Sequence, residues 1–180
     1  MLISGLLSAA TATVVPDGDN TSGSFATAPL FSKVNDDIDS PNGTVITSPN
    51  NPSAAVIFDI TCPSDTGTVT DANLRIRARQ NNVSRNITVT ASWSATASTN
   101  VVTGTLNKTA LQDYTSGAIG SLSISKATCD ASTISATPTT SGTGTAANAD
   151  IDAINLDITY TVAVAQPARR VVMVAQRRMQ

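Results

Sequence analysis

The chain has 180 residues, 41% of them hydrophobic and 13% charged, with a net charge of −2 and 3% aromatics. All 13 acidic residues are aspartate, and neither glutamate nor histidine occurs, so histidine general-base catalysis and imidazole metal sites are excluded for this chain alone; two cysteines exclude a zinc ribbon or a disulfide-dense scaffold. Thr, Ser and Asn supply 27, 20 and 13 residues, one third of the chain, and with Asp and Gly they rank low in helix propensity, so the expectation is an all-β protein that binds or builds and is not an enzyme.

The length fits one domain, plus an arm at each end. Residues 1–12 begin with an apolar stretch (Leu2, Leu6, Leu7) followed by small residues, in outline a secretory signal. The apolar run is short, no Lys or Arg precedes it and the chain keeps Met1, so this segment is expected to belong to the mature fold as an arm or first strand, residues 1–13. No run approaches the roughly 18 apolar residues of a membrane-spanning helix, and the chain reads as soluble. Five sequons, at Asn20, Asn42, Asn82, Asn86 and Asn107, are expected by chance in so Asn-, Ser- and Thr-rich a chain.

The body is predicted over 14–166. Residues 45–47 form a short strand between two Pro/Asn clusters, and 54–60 (AAVIFDI) an apolar strand closed by the turn residues of CPSDTG. In 73–79, Leu74, Ile76 and Ala78 alternate with Arg75, Arg77 and Arg79, which places aliphatics on one face of a strand and guanidinium groups on the other. A turn at 80–82 leads to Ile87, Val89, Ala91 and Trp93, and the pair reads as a hairpin. Strands are expected at 101–106 and 119–125, with one helical turn around Leu111 in 108–117. The stretch 137–150 (TPTTSGTGTAANAD) reads as a flexible loop. The cleanest strand alternates through Ile154, Leu156, Ile158, Tyr160, Val162 and Val164. About eight strands separated by turn residues, with no helical crossovers, predict an antiparallel β-sandwich resembling a jelly roll. The last segment, 167–180 (PARRVVMVAQRRMQ), begins with a strand-breaking Pro and reads as a C-terminal arm.

Four sets of residues are candidates for chemistry. Asp17, Asp19, Asp36, Asp37 and Asp39 lie in acidic loop material that could offer oxygens to a hard cation, but their spacing does not match the EF-hand, and turn and cap hydrogen bonds explain them; no metal or other cofactor is expected. Arg75, Arg77 and Arg79, with Arg85 nearby, suit an anionic partner, a protein interface or a solvated outer face that blocks edge-to-edge pairing, and without interleaved aromatics they do not argue for nucleic acid. Cys62 and Cys129 fit either a disulfide or two buried thiols, and free thiols are the expectation. Paired aspartates could serve a glycosidase, but one Trp and two Tyr furnish few sugar platforms.

Three stretches, VVPDGDNTSGSF (14–25), PLFSKVNDDIDSPNGTVITSP (29–49) and FDITCPSDTGTVTDANLRIRAR (58–79), resemble a module of tailed-bacteriophage structural proteins. In that module a Trp usually stands at the position of Phe25, a Tyr at that of Phe31, and Ile-Asp at that of Val34-Asn35. The resemblance covers a little over a third of the chain, includes no catalytic motif, and implies a β-sandwich in a virion, on head or tail. Together with the composition and the arms, it leads to the expectation of a capsid decoration or cement protein on the virion surface, partnered by the major capsid protein and by further copies of itself as a homo-oligomer, and engaging neither nucleic acid nor membrane. The expected contacts are Leu2, Leu6 and Leu7 in one arm and Arg169, Arg170, Val171, Val172, Met173, Val174, Arg177 and Arg178 in the other. The alternatives are a tail or fibre component that binds host-surface glycan, with Trp93 as the first residue to test, and a bacterial surface or pilus subunit.

Overall fold

A computed structural model describes residues 8–23, 25, 29–81, 85–96 and 100–162. The chain is nearly all β. Its strands are β1 (Ala9–Val14), β2 (Pro16–Thr21), β3 (Ile46–Thr47), β4 (Val56–Ile60), β5 (Thr66–Gln80), β6 (Asn86–Trp93), β7 (Val101–Val102), β8 (Gln112–Thr115), β9 (Ile124–Ser125), β10 (Thr133–Ser141) and β11 (Ala149–Val162). A 3-10 turn at Phe31–Lys33 and one short helix, α1 (Lys126–Asp130), complete the set.

Two antiparallel sheets face each other. One runs β1-β11-β5-β8, with β3 continuing the β1 side of β11 and β9 continuing the β8 side of β5; the other runs β2-β4-β10-β6-β7. With β3 and β9 counted as continuations of the borders and β2 set aside, each sheet has four strands, β1-β11-β5-β8 and β4-β10-β6-β7, in the connectivity of an eight-stranded jelly roll, the expected fold. Period-2 patterning drives this arrangement: Leu74, Ile76 and Ala78 of β5 and Ile154, Leu156 and Ile158 of β11 point inward, opposite Phe58, Ile60, Ile87, Val89, Trp93 and Ile134 from the other sheet. Each such aliphatic contributes about 1.5–3 kcal/mol when fully buried, so a core poor in aromatics is sustained by number.

Several expectations change. Residues 73–79 and 87–93 are not a hairpin: β5 and β6 lie in different sheets, because both edges of β5 are already taken, by β11 and by β8 with β9. Buried Gln80 marks the crossing; its amide donates to the Arg85 carbonyl at 2.7 Å and its oxygen accepts from Ile87 N–H at 2.9 Å. The 137–150 loop is shorter than expected, since β10 extends to Ser141 and pairs with β6 along its whole length, leaving 142–148 as the connection. Leu111 sits in no helical turn; β8 follows it directly. Only Ile124 and Ser125 of 119–125 are strand, and the helix that follows is announced by Ser125, whose Oγ accepts Thr128 N–H at 3.2 Å as an N-cap. Asp17 and Asp19 lie on a strand, because β2 pairs with β4 through two register shifts. Gly23, with φ +57°, turns the chain where a Cβ would overlap the Ala55 carbonyl. Val164 and the 167–180 segment lie outside the described residues, as do Leu2, Leu6 and Leu7; residues 9–14 are the first strand.

The cysteines are not free thiols. Cys62 and Cys129 form a disulfide, with Cα atoms 6.1 Å apart, that ties α1 to the segment leaving β4. Polar contacts reinforce the tie: Cys62 N–H donates to Asp130 at 3.0 Å, and Lys126 Nζ bridges the Cys62 carbonyl and the Asp130 carboxylate. The pair lies 67 positions apart in sequence, so only the packing of β4 against β10, which follows α1, brings them together. Replacing both with Ala is expected to cost about 2–5 kcal/mol in chemical denaturation under non-reducing conditions; a loss under about 1 kcal/mol would show that the bridge does not constrain the unfolded chain.

Candidate functional site

The outer face of the β1-β11-β5-β8 sheet carries the densest set of charged side chains among the described residues. Alternation along β5 directs Arg75, Arg77 and Arg79 to this face, and each meets aspartate. Arg75 pairs with Asp157 (2.7 Å) and with Asp39 (2.9 Å), Arg77 with Asp113 (2.8 Å) and Asp152 (3.1 Å), and Arg79 with Asp150 (3.0 Å). Three arginines thus face five aspartates, so the face is acidic in balance, and the guanidinium groups are committed within the chain instead of open to an anionic partner. Arg85, the fourth of the mid-chain set, ties two loops together through the Gly144 carbonyl and Asn51.

β11 supplies most of the carboxylates through a break in its pleat. Between Ile151, which faces Ala78, and Ala153, which faces Arg77, one extra residue is inserted, and it is Asp152. This β-bulge switches the inward positions from odd to even, which is why Ile151 and Ile154 both reach the core. The bulge leaves Asp152 fully buried with Arg77 as its ionic partner. Burial pushes its carboxyl above the usual range; Arg77 opposes the shift, while Asp36 and Asp113 add to it.

Asn155, also fully buried, fixes the loop that brings Asp39 in. Its Oδ1 accepts Ile38 N–H at 2.6 Å and its Nδ2 donates to the Asp36 carbonyl at 2.8 Å, while the Val34 carbonyl accepts from Ile154 N–H. Asp39 is thereby held over Arg75, whose hydrogen bond and charge keep its carboxyl below the ordinary value. The other cation candidates are engaged separately. Asp19 accepts Leu30 and Phe31 N–H at 2.7 Å each and so docks the 3-10 turn onto β2; Asp36 holds the backbone and side chain of Asn42, and Asp37 caps Asp39 N–H. Asp17 is exposed on β2. The structure does not assemble these five into one site, and no group of three or more ligating side chains suited to a metal occurs among the described residues.

Beside Arg75, between β1 and the Asp39 loop, lies an open groove of about 420 Å3 lined by Thr11, Thr13, Asp39, Arg75 and Asp157. A second, of about 200 Å3, adjoins it at Thr11 and Asp157. Hydroxyls and ion-paired carboxylates here can hydrogen-bond a polar ligand. They are a poor acid–base pair: in the groove a guanidinium stands between Asp39 and Asp157, and Asp152, the one carboxyl with a raised pKa, is sealed from solvent. Trp93 is no sugar platform, because it is fully buried with its indole N–H donating to Ser132 at 2.6 Å.

Sequence reading identified the arginines and missed their partners. Asp150, Asp152, Asn155 and Asp157 were masked by the aliphatic alternation around them, and the visible signal was the doubled apolar step from Ile151 to Ile154.

A group such as Asp152, whose folded pKa is raised, stabilises the fold most below its ordinary value of 3.8, and that contribution is lost as pH rises through the folded pKa. Asp39 and Asp130, whose carboxyls are lowered by Arg75 and Lys126, behave oppositely and lose their contribution as pH falls below 3.8. Asp152→Asn is therefore expected to raise the thermal midpoint at pH 7, with the gain shrinking as pH is taken below about 4; a midpoint lowered at pH 7 would show that the charge on Asp152 stabilises the bulge.

No protein-family model matches the chain, and no curated protein matches it. Among solved structures it is similar to a family two carbohydrate esterase from Cellvibrio japonicus, with a TM-score of 0.37 and 11% identity. That alignment covers 89% of this chain and 36% of the esterase, so the chain spans little more than a third of that protein's length, and a likeness this distant carries no inference about activity.

Proposed function

We propose that this chain is a non-enzymatic structural protein of a tailed-bacteriophage virion, a capsid decoration or cement protein that binds the major capsid protein and stabilises the head surface. The likeness of residues 14–79 to a phage structural module supports this reading, as does a jelly-roll body whose outer-face arginines are paired within the chain. The observation that carries it is where the described ends stand. Val162 N–H, at the end of β11, donates to the Ser8 carbonyl, at the start of β1, at 3.0 Å. Residues 8 and 162, from which the segments 1–7 and 163–180 continue, therefore stand side by side at one corner of the body, and a two-part anchor drawn from those segments would suit one-sided docking on a shell. Extended segments of this composition bind by adding strands to a partner and burying alternate apolar side chains. Neither nucleic acid nor membrane is called for.

The test is incorporation. Heads lacking the protein are incubated with the full chain and with a chain ending at residue 166, and bound copies are counted. The truncated chain is expected to keep its thermal midpoint within a few degrees, roughly the effect of 1 kcal/mol, and to lose binding. Binding equal to that of the full chain would sink the anchor, and absence of the full chain from heads would sink the capsid reading itself.

A further inference from the structure

We propose that the open edge of β1 is a two-fold self-association site, at which a second copy of this chain adds its own β1 antiparallel, Thr11 opposite Thr11. The surface follows from hydrogen-bond parity. Because Val162 N–H donates to the Ser8 carbonyl, the even-numbered residues Ala10, Ala12 and Val14 exchange bonds with β11, while Ala9, Thr11 and Thr13 turn their N–H and C=O groups away from it. Among the described residues β1 pairs with β11 alone, so these outward groups form a row of donors and acceptors without a strand partner, the Ala9 carbonyl holding only a long bond from Ser8 Oγ at 3.5 Å.

The other three sheet borders are blunted in the ways natural sheets use to prevent such pairing. β2 carries Pro16, Asp17 and Asp19, has two register shifts and is capped by the 3-10 turn. β7 is two residues long. The border formed by β8 and β9 is short, carries Asp113, and is broken by Gly117 and Gly120 at positive φ. β1 has none of these devices: its six pairs with β11 run without a shift, and Ala9–Val14 contains no charge, proline or glycine.

The lack of charge also selects the occupant. Across a two-fold axis each residue meets its own copy or a symmetry mate, so a charged strand repels itself, while an uncharged one of small residues does not. With Thr11 on the axis, Ala9 faces Thr13, and all three outward residues find partners, each facing pair exchanging two backbone bonds. Ala10 then lies opposite Ala12; both are half-buried and already packed against the core, and the second copy would cover what remains exposed. A net charge of −2 sets little general repulsion between copies. The inference rests on β1 alone and stands or falls apart from any role on a capsid.

A strand-edge contact of this length belongs among small, weak interfaces, so the full chain is expected to show a monomer–dimer equilibrium in sedimentation between about 1 μM and 1 mM. In the dimer the amides of Ala9, Thr11 and Thr13 should gain hydrogen-exchange protection as concentration rises. Thr11→Lys, which sets two ammonium groups at the axis from an exposed position, and Thr11→Pro, which removes an outward donor while sparing the bonds to β11, should each weaken association by about tenfold or more. A chain monomeric at about 1 mM, a dimer indifferent to Thr11→Lys, or one in which these amides exchange as fast as in the monomer would overturn the proposal.

Discussion

The pairing of β5 with β11 is the constraint on which the rest of the structure depends. These are the two longest strands, and they occupy the middle of their sheet, with β8 and β9 on the far edge of β5 and β1, Val34 and β3 sharing the far edge of β11. A central strand must satisfy its backbone on both sides and hide side chains on one face. β11 goes further, because the loop pinned by Asn155 covers part of its second face as well, and this is why an eight-residue stretch of it is buried throughout.

That coverage changes what the charged residues are for. A row of three arginines on an otherwise aliphatic strand invites a reading as a binding surface. In the folded chain each guanidinium is partly desolvated and meets carboxylates from β8, β11 or the 36–39 loop, so the row stitches three strands and a loop into one plate. Ion pairs at this degree of exposure add little stability individually. Their effect is geometric: Arg75 bridging Asp39 and Asp157 holds the loop against the sheet and shapes the groove beside β1. Asp152 is the costly member, a carboxyl inserted by a bulge into a dry site, and the bulge that buries it is the same feature that brings both halves of β11 into the core register.

Much of this was legible beforehand. The alternation of Leu74, Ile76 and Ala78, of Ile87 to Trp93 and of Ile154 to Tyr160 correctly marked strands and their inward faces, because the pleat imposes period 2 wherever one face is buried. What alternation does not carry is the identity of the neighbouring strand. Residues 73–79 and 87–93 are close in sequence and both amphipathic, which suits a hairpin, yet they belong to opposite sheets because β11 and β8 outcompete β6 for the edges of β5. The same holds at the candidate site. The arginines were visible as a pattern, whereas their aspartate partners come from positions 36 to 82 residues away.

The sequence by itself determined the class of this protein: without glutamate, and with a third of its residues small and polar, it strongly favours strands and turns over helices, with light aliphatics for a core. Local propensity and periodicity are properties of short windows, and they survive folding intact. Only the tertiary structure decided that Cys62 and Cys129 are bridged, that the arginine row is neutralised from within, that Trp93 is core, and that β1 is the one sheet border left without a guard among the described residues. Each of these depends on which distant segments share an edge or a face. That is settled by competition among strands for a limited number of partners, a quantity no single window of sequence contains.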